Sequence, residues 1–336
     1  MTGEPVAGAA AYVPPQRIGF KALPAADLWL YRQVVSQALD HFRVSDYSIA
    51  GFVRHSNITA QITRPSRPGL ALRVRTGPSV SAHTELTWLL AVRGATRVLT
   101  VEPYSDILND MTVEVPHPVD GSLLECSLFQ WAEGEPLAAH LTPASYHRLG
   151  AMAAELHNFA ASWAAPTGLA PLRWDQTMYY EGTRLVVARP EHSAYVSSRE
   201  ARKVEQVVTA ADAELSRLAA LSNPIFLHGN IEMWNVLVDR AGRLRLMDFE
   251  DVLLGQPVHD IAVTLYYGSE REDYPQLVAA FRAGYGTIRE WPELDERVLQ
   301  LLMAARATML LNHALLTEPD PRPVVARLLP LILRVA

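Results

Sequence analysis

The sequence predicts an α+β protein of two lobes, a small antiparallel sheet followed by a mostly helical lobe. Three observations carry this reading. At 336 residues the chain exceeds one comfortable hydrophobic core, since single cores stop growing near roughly 250 to 300 residues. Strand-length apolar runs crowd the region before residue 130, and helical periodicity dominates after it. Within the helical part lies one short hairpin whose open end gathers polar side chains.

Residues 1 to about 23 are rich in Ala, Pro and Gly and read as a loosely ordered arm. From Ala25, the spacing of Leu28, Leu30, Tyr31, Val34, Val35 and Leu39 predicts an amphipathic helix to His41 that caps the first lobe. Tyr47–Phe52, Ile58–Ile62 and Leu70–Val74 follow as strands, the first two joined by a turn over residues 53–57. Alternation along the third places Arg73 and Arg75 on one face, so the strand alone does not choose between them. Ser79 or Ser81 caps the next helix, with Leu86, Leu89 and Leu90 as its inward stripe. Val98–Val101, Met111–Val115 and Leu123–Phe129 complete the expected sheet, and Gly134 breaks the pattern after Gln130. Domain boundaries follow: residues 1–129 as the first lobe, 130–134 as a hinge and 135–336 as the helical lobe.

In that second lobe, Leu149, Met152, Leu156 and Phe159 mark a helix running to Trp163, with His157 as a structural histidine satisfied by a backbone carbonyl. Residues 165–199 are irregular and carry Trp174, Asp175, Tyr179, Tyr180 and Arg184, either as anchors to the core or as pocket walls. Glu200–Leu221 forms a long polar helix ended by Pro224. Strands at Asn235–Val238 and Leu244–Met247 flank the turn Asp239-Arg-Ala-Gly-Arg243. Helices over 274–285, 294–316 and 324–335 fill the rest.

Composition removes several classes. Thirty basic against thirty-six acidic side chains give a net charge of −6, without the basic footprint of a nucleic-acid binder. A lone cysteine, Cys126, excludes an internal disulfide, fits a reducing cytoplasm and reads as a buried strand residue. No signal peptide or membrane span is read, since the apolar stretch from Val324 is interrupted by Arg327, Pro330 and Arg334. Zinc-protease His pairs, a Walker glycine loop and a Gly-x-Ser-x-Gly elbow are all missing.

The chemistry gathers at the hairpin. Pairing its strands brings His228, Asn230, Asn235 and Asp248 to one rim, and the amide of Asn235 and carboxylate of Asp248 are hard oxygen ligands of the kind Mg²⁺ accepts. The order His228-Gly229-Asn230, Asn235, then Met247-Asp248-Phe249-Glu250 and Gly255-Gln-Pro-Val-His-Asp260 resembles the aminoglycoside phosphotransferase and choline kinase-like family, small-molecule relatives of protein kinases. The resemblance implies a protein-kinase-like fold that uses ATP and Mg²⁺. It assigns Arg73 to the α- and β-phosphates, positioned by Glu85, and Asn235 with Asp248 to the metal. The turn ending at Asn57 lies over the phosphates, and the hinge around Phe129 and Trp131 holds adenine. His228 and Asp260 brace the loop, while position 230 faces the acceptor hydroxyl.

One departure is large. Family members carry Asp where this chain has Asn230, and an amide takes up no proton near neutral pH. An engineered Asp-to-Asn exchange, a natural enzyme working without a strong base, and a silent relative all remain open. Glu232 is read as a surface residue at the strand start. Restoring a carboxylate at 230 is expected to raise turnover. The leading expectation is a phosphotransferase acting on a hydroxyl of an aminoglycoside-like sugar, an amino alcohol or a peptide Ser/Thr. A nucleotide-binding scaffold, and transfer of another part of ATP, are the alternatives. Expected partners are the acceptor and, beyond it, a second copy or a partner enzyme.

Overall fold

The computed structural model describes residues 21–77, 79–105, 110–221, 223–293 and 295–336. The arm read over residues 1 to about 23 lies almost wholly outside these. In chain order the elements are β1 (Lys21–Ala22), α1 (Ala25–His41), β2 (Ser48–Arg54), β3 (Ile58–Arg64), β4 (Arg67–Val74), α2 (Ala82–Ala95), β5 (Leu99–Thr100), β6 (Thr112–Pro116), β7 (Leu123–Gln130) and β8 (Glu135–Pro136). After them come α3 (Pro143–Ser162), β9 (Leu172–Arg173), α4 (Ser198–Leu221), β10 (Ile225–Leu227), β11 (Val236–Val238), β12 (Leu244–Leu246), β13 (Leu253–Gly255), α5 (Pro257–Tyr266), α6 (Tyr274–Gly286), α7 (Glu296–Thr317) and α8 (Arg322–Leu333).

The first sheet runs β1-β2-β3-β4-β7-β6, and every pairing in it is antiparallel. Alternation along β4 buries Leu70, Leu72 and Val74 against Val34, Val35, Ala38 and Leu39 of α1, the capping role expected of that helix. The opposite face carries Arg73 toward the second lobe. Cys126 is buried in β7, where burial pushes its thiol up to about 12, and it acts as a small apolar residue.

Two expectations fail here. The segment Val98–Val101 does not join this sheet. Its central part, β5, pairs parallel with β12 of the hairpin, because the Val101 N–H donates to the Leu246 carbonyl and Arg245 reaches the Thr100 carbonyl at 2.8 Å. Leu90 is exposed rather than part of the stripe of α2. The buried face is Glu85, Leu86, Trp88, Leu89 and Val92. Trp88 stacks on Phe159 and packs at a tilt against Trp163 of the second lobe, so α2 is welded to the larger core.

The hairpin forms as read, with β11 and β12 paired through Val236↔Leu246 and Val238↔Leu244. Helix α5 starts at Pro257, because proline suits a first helical position and His259 folds back onto the Gln256 N–H. The expected start of α7 at residue 294 lies outside the described residues. Helix α7 is long and apolar enough to cross a membrane by length and composition, and 72% of its most apolar window is buried inside the lobe.

Candidate active site

Between the two lobes lies a cleft of about 370 Å³. Ala71, Val101, Phe129, Trp131, Leu237 and Met247 make one end apolar, and Asn57, Arg73, Asp248 and Glu250 make the other polar. A slot graded in this way suits a flat heterocycle joined to an anionic tail.

Arg73 organises the polar end. Its guanidinium donates to Glu85 Oε1 at 2.8 Å and to Asp248 Oδ1 at 2.9 Å, pairs with Glu250 Oε2 at 3.4 Å, and lies 5.5 Å over the Phe129 ring. Burial opposes its charge, yet Glu85, Asp248 and Glu250 together hold its pKa above the usual range. Arg75, left undecided by the strand pattern, also turns inward: it grips the other Glu85 oxygen and pairs with Glu125 at 3.0 Å. Both arginines therefore converge on one carboxylate.

Asp248 sits in the left-handed region, φ 68°, immediately after the hairpin. That strained turn aims its carboxylate into the cleft. Asn235 lies at the same hairpin end, where its carbonyl accepts from the Met247 N–H, but it is fully buried behind the cleft, with Nδ2 donating to the Asn230 carbonyl at 3.1 Å. Among the described residues no group of three or more His, Cys, Asp or Glu is placed to hold a metal. One carboxylate and one amide oxygen fit Mg²⁺, which completes its shell with water and substrate phosphates.

Asn57 is committed to the protein. Its Nδ2 donates to Glu250 at 2.5 Å and its Oδ1 accepts from the N–H groups of Thr76 and Gly77. With Ser56 donating to Glu250 at 2.6 Å, the β2–β3 turn is tied down onto the second lobe. Burial first, then the neighbouring Asp248, pushes the Glu250 carboxyl up to about 7. Trp131 lines the mouth of the cleft.

His228, Asn230 and Asp260 lie deeper, away from the cleft lining. Asp260 is fully buried and accepts from the His228 N–H at 3.2 Å, the Gly229 N–H at 2.8 Å and His157 Nε2 at 3.3 Å. Burial works to raise its pKa, and these donors outweigh it to hold the carboxyl below the usual range. His157 is thus satisfied by Asp260 and the Tyr285 hydroxyl instead of the expected carbonyl. His228 Nε2 meets the Met247 carbonyl at 3.1 Å while Nδ1 accepts from the Asn230 N–H at 3.2 Å, fixing its tautomer. Gly229 is required twice over: its φ is 81°, and an added Cβ would fall 2.2 Å from the Asp251 carbonyl oxygen.

The sequence reading missed part of the site. Asn230 Nδ2 donates to Asp251 Oδ2 at 3.0 Å, and its Oδ1 accepts from Arg306 Nη2 at 2.7 Å. Tyr180, from the irregular segment, donates to the other Asp251 oxygen. Trp174 and Tyr179 are buried anchors, with Trp174 against the His259 ring. Glu232 is no surface residue; it is buried and hydrogen-bonded to Tyr267. Burial disfavours the Arg306 charge, but Tyr267, Tyr179 and Glu232 hold its pKa well above the ordinary value. The available signals were an arginine inside the apolar helix Ala305-Arg306-Ala307 and a second acid directly after Glu250.

A sheet lobe closed over a helical lobe, with an arginine–carboxylate network at the inner end of an apolar slot, defines a two-lobed small-molecule phosphotransferase. The chain belongs to the phosphotransferase enzyme family, whose model matches residues 55–297. The enzyme class expected from the sequence, a phosphotransferase with an alcohol group as acceptor, follows from this membership. Among curated proteins none matches by sequence. Among solved structures, a microcompartment-associated aminopropanol kinase is similar at TM-score 0.70 and 19% identity, covering 90% of this chain and 95% of that one. An amicoumacin kinase, solved with AMP-PNP, Ca²⁺ and Ami, gives 0.70 and 16%, covering 90% and 93%. A spectinomycin phosphotransferase in an AMP-bound complex gives 0.60 and 11%, covering 90% and 97%. These likenesses establish the protein-kinase-like fold expected from the motifs.

Proposed function

We propose that this chain transfers the γ-phosphoryl group of ATP, with Mg²⁺, to a hydroxyl of a small amine-bearing molecule such as an amino alcohol or an aminoglycoside-like sugar. The observation that carries the reading is Arg73, held by Glu85 and reaching Asp248 at the polar end of an apolar slot. Adenine fits between Ala71, Phe129, Trp131 and Leu237, and the phosphates extend toward Arg73. Asp248 and Asn235 would hold Mg²⁺, which supplies charge neutralisation on the transferring phosphoryl group. Once Asp248 takes that duty, Arg73 is released from it to face the phosphates while Glu85 keeps its grip. The β2–β3 turn, tied to Glu250 through Ser56 and Asn57, covers the phosphates and excludes water. Asp260 fixes the backbone of His228 and Gly229, and so the position of residue 230. The solved aminopropanol, amicoumacin and spectinomycin enzymes support the acceptor class.

A second reading, a nucleotide-binding scaffold, is favoured by Asn230 alone. The test is thermal: Mg·ATP is expected to raise Tm by several degrees. Asp248→Ala should abolish the shift, and ADP should form when 1-amino-2-propanol or spectinomycin is added. A shift that survives Asp248→Ala sinks the proposed metal and phosphate site, whereas a normal shift without ADP points to the scaffold.

A further inference from the structure

The departure at position 230 has a physical answer in its surroundings, one that rests on the phosphotransfer reading above. An amide has a donor end and an acceptor end, and Asn230 meets the complement at each. Its NH₂ group faces the Asp251 carboxylate at 3.0 Å, and its oxygen faces the Arg306 guanidinium at 2.7 Å. An Asp in the same place would set two carboxylates at hydrogen-bond distance with no proton between them, which costs energy unless one of them stays protonated. The pocket around 230 is therefore built for an amide, and it places a carboxylate one contact further on.

Asp251 is suited to take over. It lies on the short helical turn 249–251 that follows Asp248, is nine-tenths buried, and is in contact with position 230 because Gly229 lets its backbone come close. One oxygen accepts from Tyr180 and the other from Asn230. Each carboxylate oxygen has two lone pairs, so both can accept once more. Asp248 and Glu250 are bound to Arg73, and Glu232 is bound to Tyr267, which leaves them worse placed for the task.

We propose that Asp251 is the proton acceptor of this enzyme, with Asn230 and Tyr180 holding its carboxylate against the acceptor hydroxyl. As the hydroxyl oxygen bonds to the γ-phosphorus, its proton passes to an Asp251 oxygen. The bond from that phosphorus to the β,γ-bridging oxygen breaks, and its electron pair leaves with ADP. Asp251 then returns the proton to solvent.

The test compares the unaltered chain with Asp251→Asn, Asn230→Asp and the exchanged double variant. ADP formation is measured with Mg·ATP, using 1-amino-2-propanol, spectinomycin or water alone as acceptor. Asp251→Asn is expected to lower kcat by about a hundredfold or more, with KM for ATP and the Mg·ATP thermal shift unchanged. Asn230→Asp alone should not raise kcat. The double variant, which again pairs one carboxylate with one amide, should regain at least about tenfold over Asp251→Asn. An Asp251→Asn enzyme within threefold of the parent overturns the proposal, as does an Asn230→Asp enzyme about tenfold faster than the parent. If Asp251→Asn does not fold, Asn230→Asp decides alone: a kcat no higher than the parent's supports the proposal, and one about tenfold higher overturns it. A parent chain that takes up Mg·ATP but never forms ADP also overturns it while leaving nucleotide binding intact. A parent with no Mg·ATP thermal shift removes the underlying reading as well.

Discussion

Replacing Asp260 by Asn tests whether the loop carrying positions 228–230 is held from behind by a single charge. The carboxylate is fully buried and serves two backbone N–H groups on different oxygens, with His157 as a third donor. An amide has one acceptor end, so its NH₂ group must face either the Gly229 N–H or the His228 side of the cluster. At least one buried donor then loses its acceptor, and the remaining bonds lose their charge assistance, for a cost of about 3 kcal/mol. At roughly 2 cal/mol/K of unfolding entropy per residue, 336 residues convert this into a fall in Tm of about 4 °C. Asp260→Ala, which abandons both amides, should fall further. Calorimetry with urea denaturation measures both variants. Because the folded-state pKa of Asp260 lies below its unfolded value, its stabilisation is complete above the unfolded pKa and is lost as pH drops through the folded one. The acid limb of the stability profile should therefore be shallower in Asp260→Asn. A change in Tm under about 1 °C, with an unaltered acid limb, refutes the reasoning.

Glu85→Gln leaves Arg73 and Arg75 without the carboxylate they share, and a loss of about 3 to 5 kcal/mol in urea denaturation is expected. A midpoint equal to the parent's would show that the shared pairing is dispensable. His259 is buried, and burial pushes its pKa down to about 3. The unfolded chain takes up a proton below about pH 6.5 while the folded one does not, so stability falls as pH drops from 6.5 toward 3. His259→Gln keeps an acceptor for the Gln256 N–H and should flatten that part of the curve by a few kcal/mol, on the order of 1.4 per unit of pKa difference. Parallel profiles for the two proteins would contradict this.

Much of the fold was legible because its signals are local. Alternation in Leu70–Val74, the helical spacing from Leu149 to Phe159 and the turn Asp239–Arg243 each specify their own element. The motif order likewise placed Arg73, Glu85 and Asp248 together. What stayed hidden depends on partners far apart in the chain. Val98–Val101 has a strand's composition in either sheet, and only the carbonyl of Leu246 decides which one it joins. Leu90 obeys the helical stripe but is displaced by Trp88, whose ring finds Phe159 and Trp163. Glu232 looked like a surface acid, and Asp251 drew no reading at all, because the groups that shelter them, Tyr267, Tyr180 and Arg306, come from segments whose placement no local pattern fixes.

Arg73 on β4 and Arg75 just past its end tie helix α2 to the sheet twice over. Arg75 clasps Glu85 and Glu125 without help from Arg73, so helix α2 stays bolted to the sheet whatever Arg73 holds. Swinging that helix outward to idle the machinery would break both clasps and prise Trp88 from its aromatic bed. Under the phosphotransfer proposed above, the site would therefore be assembled before either substrate arrives.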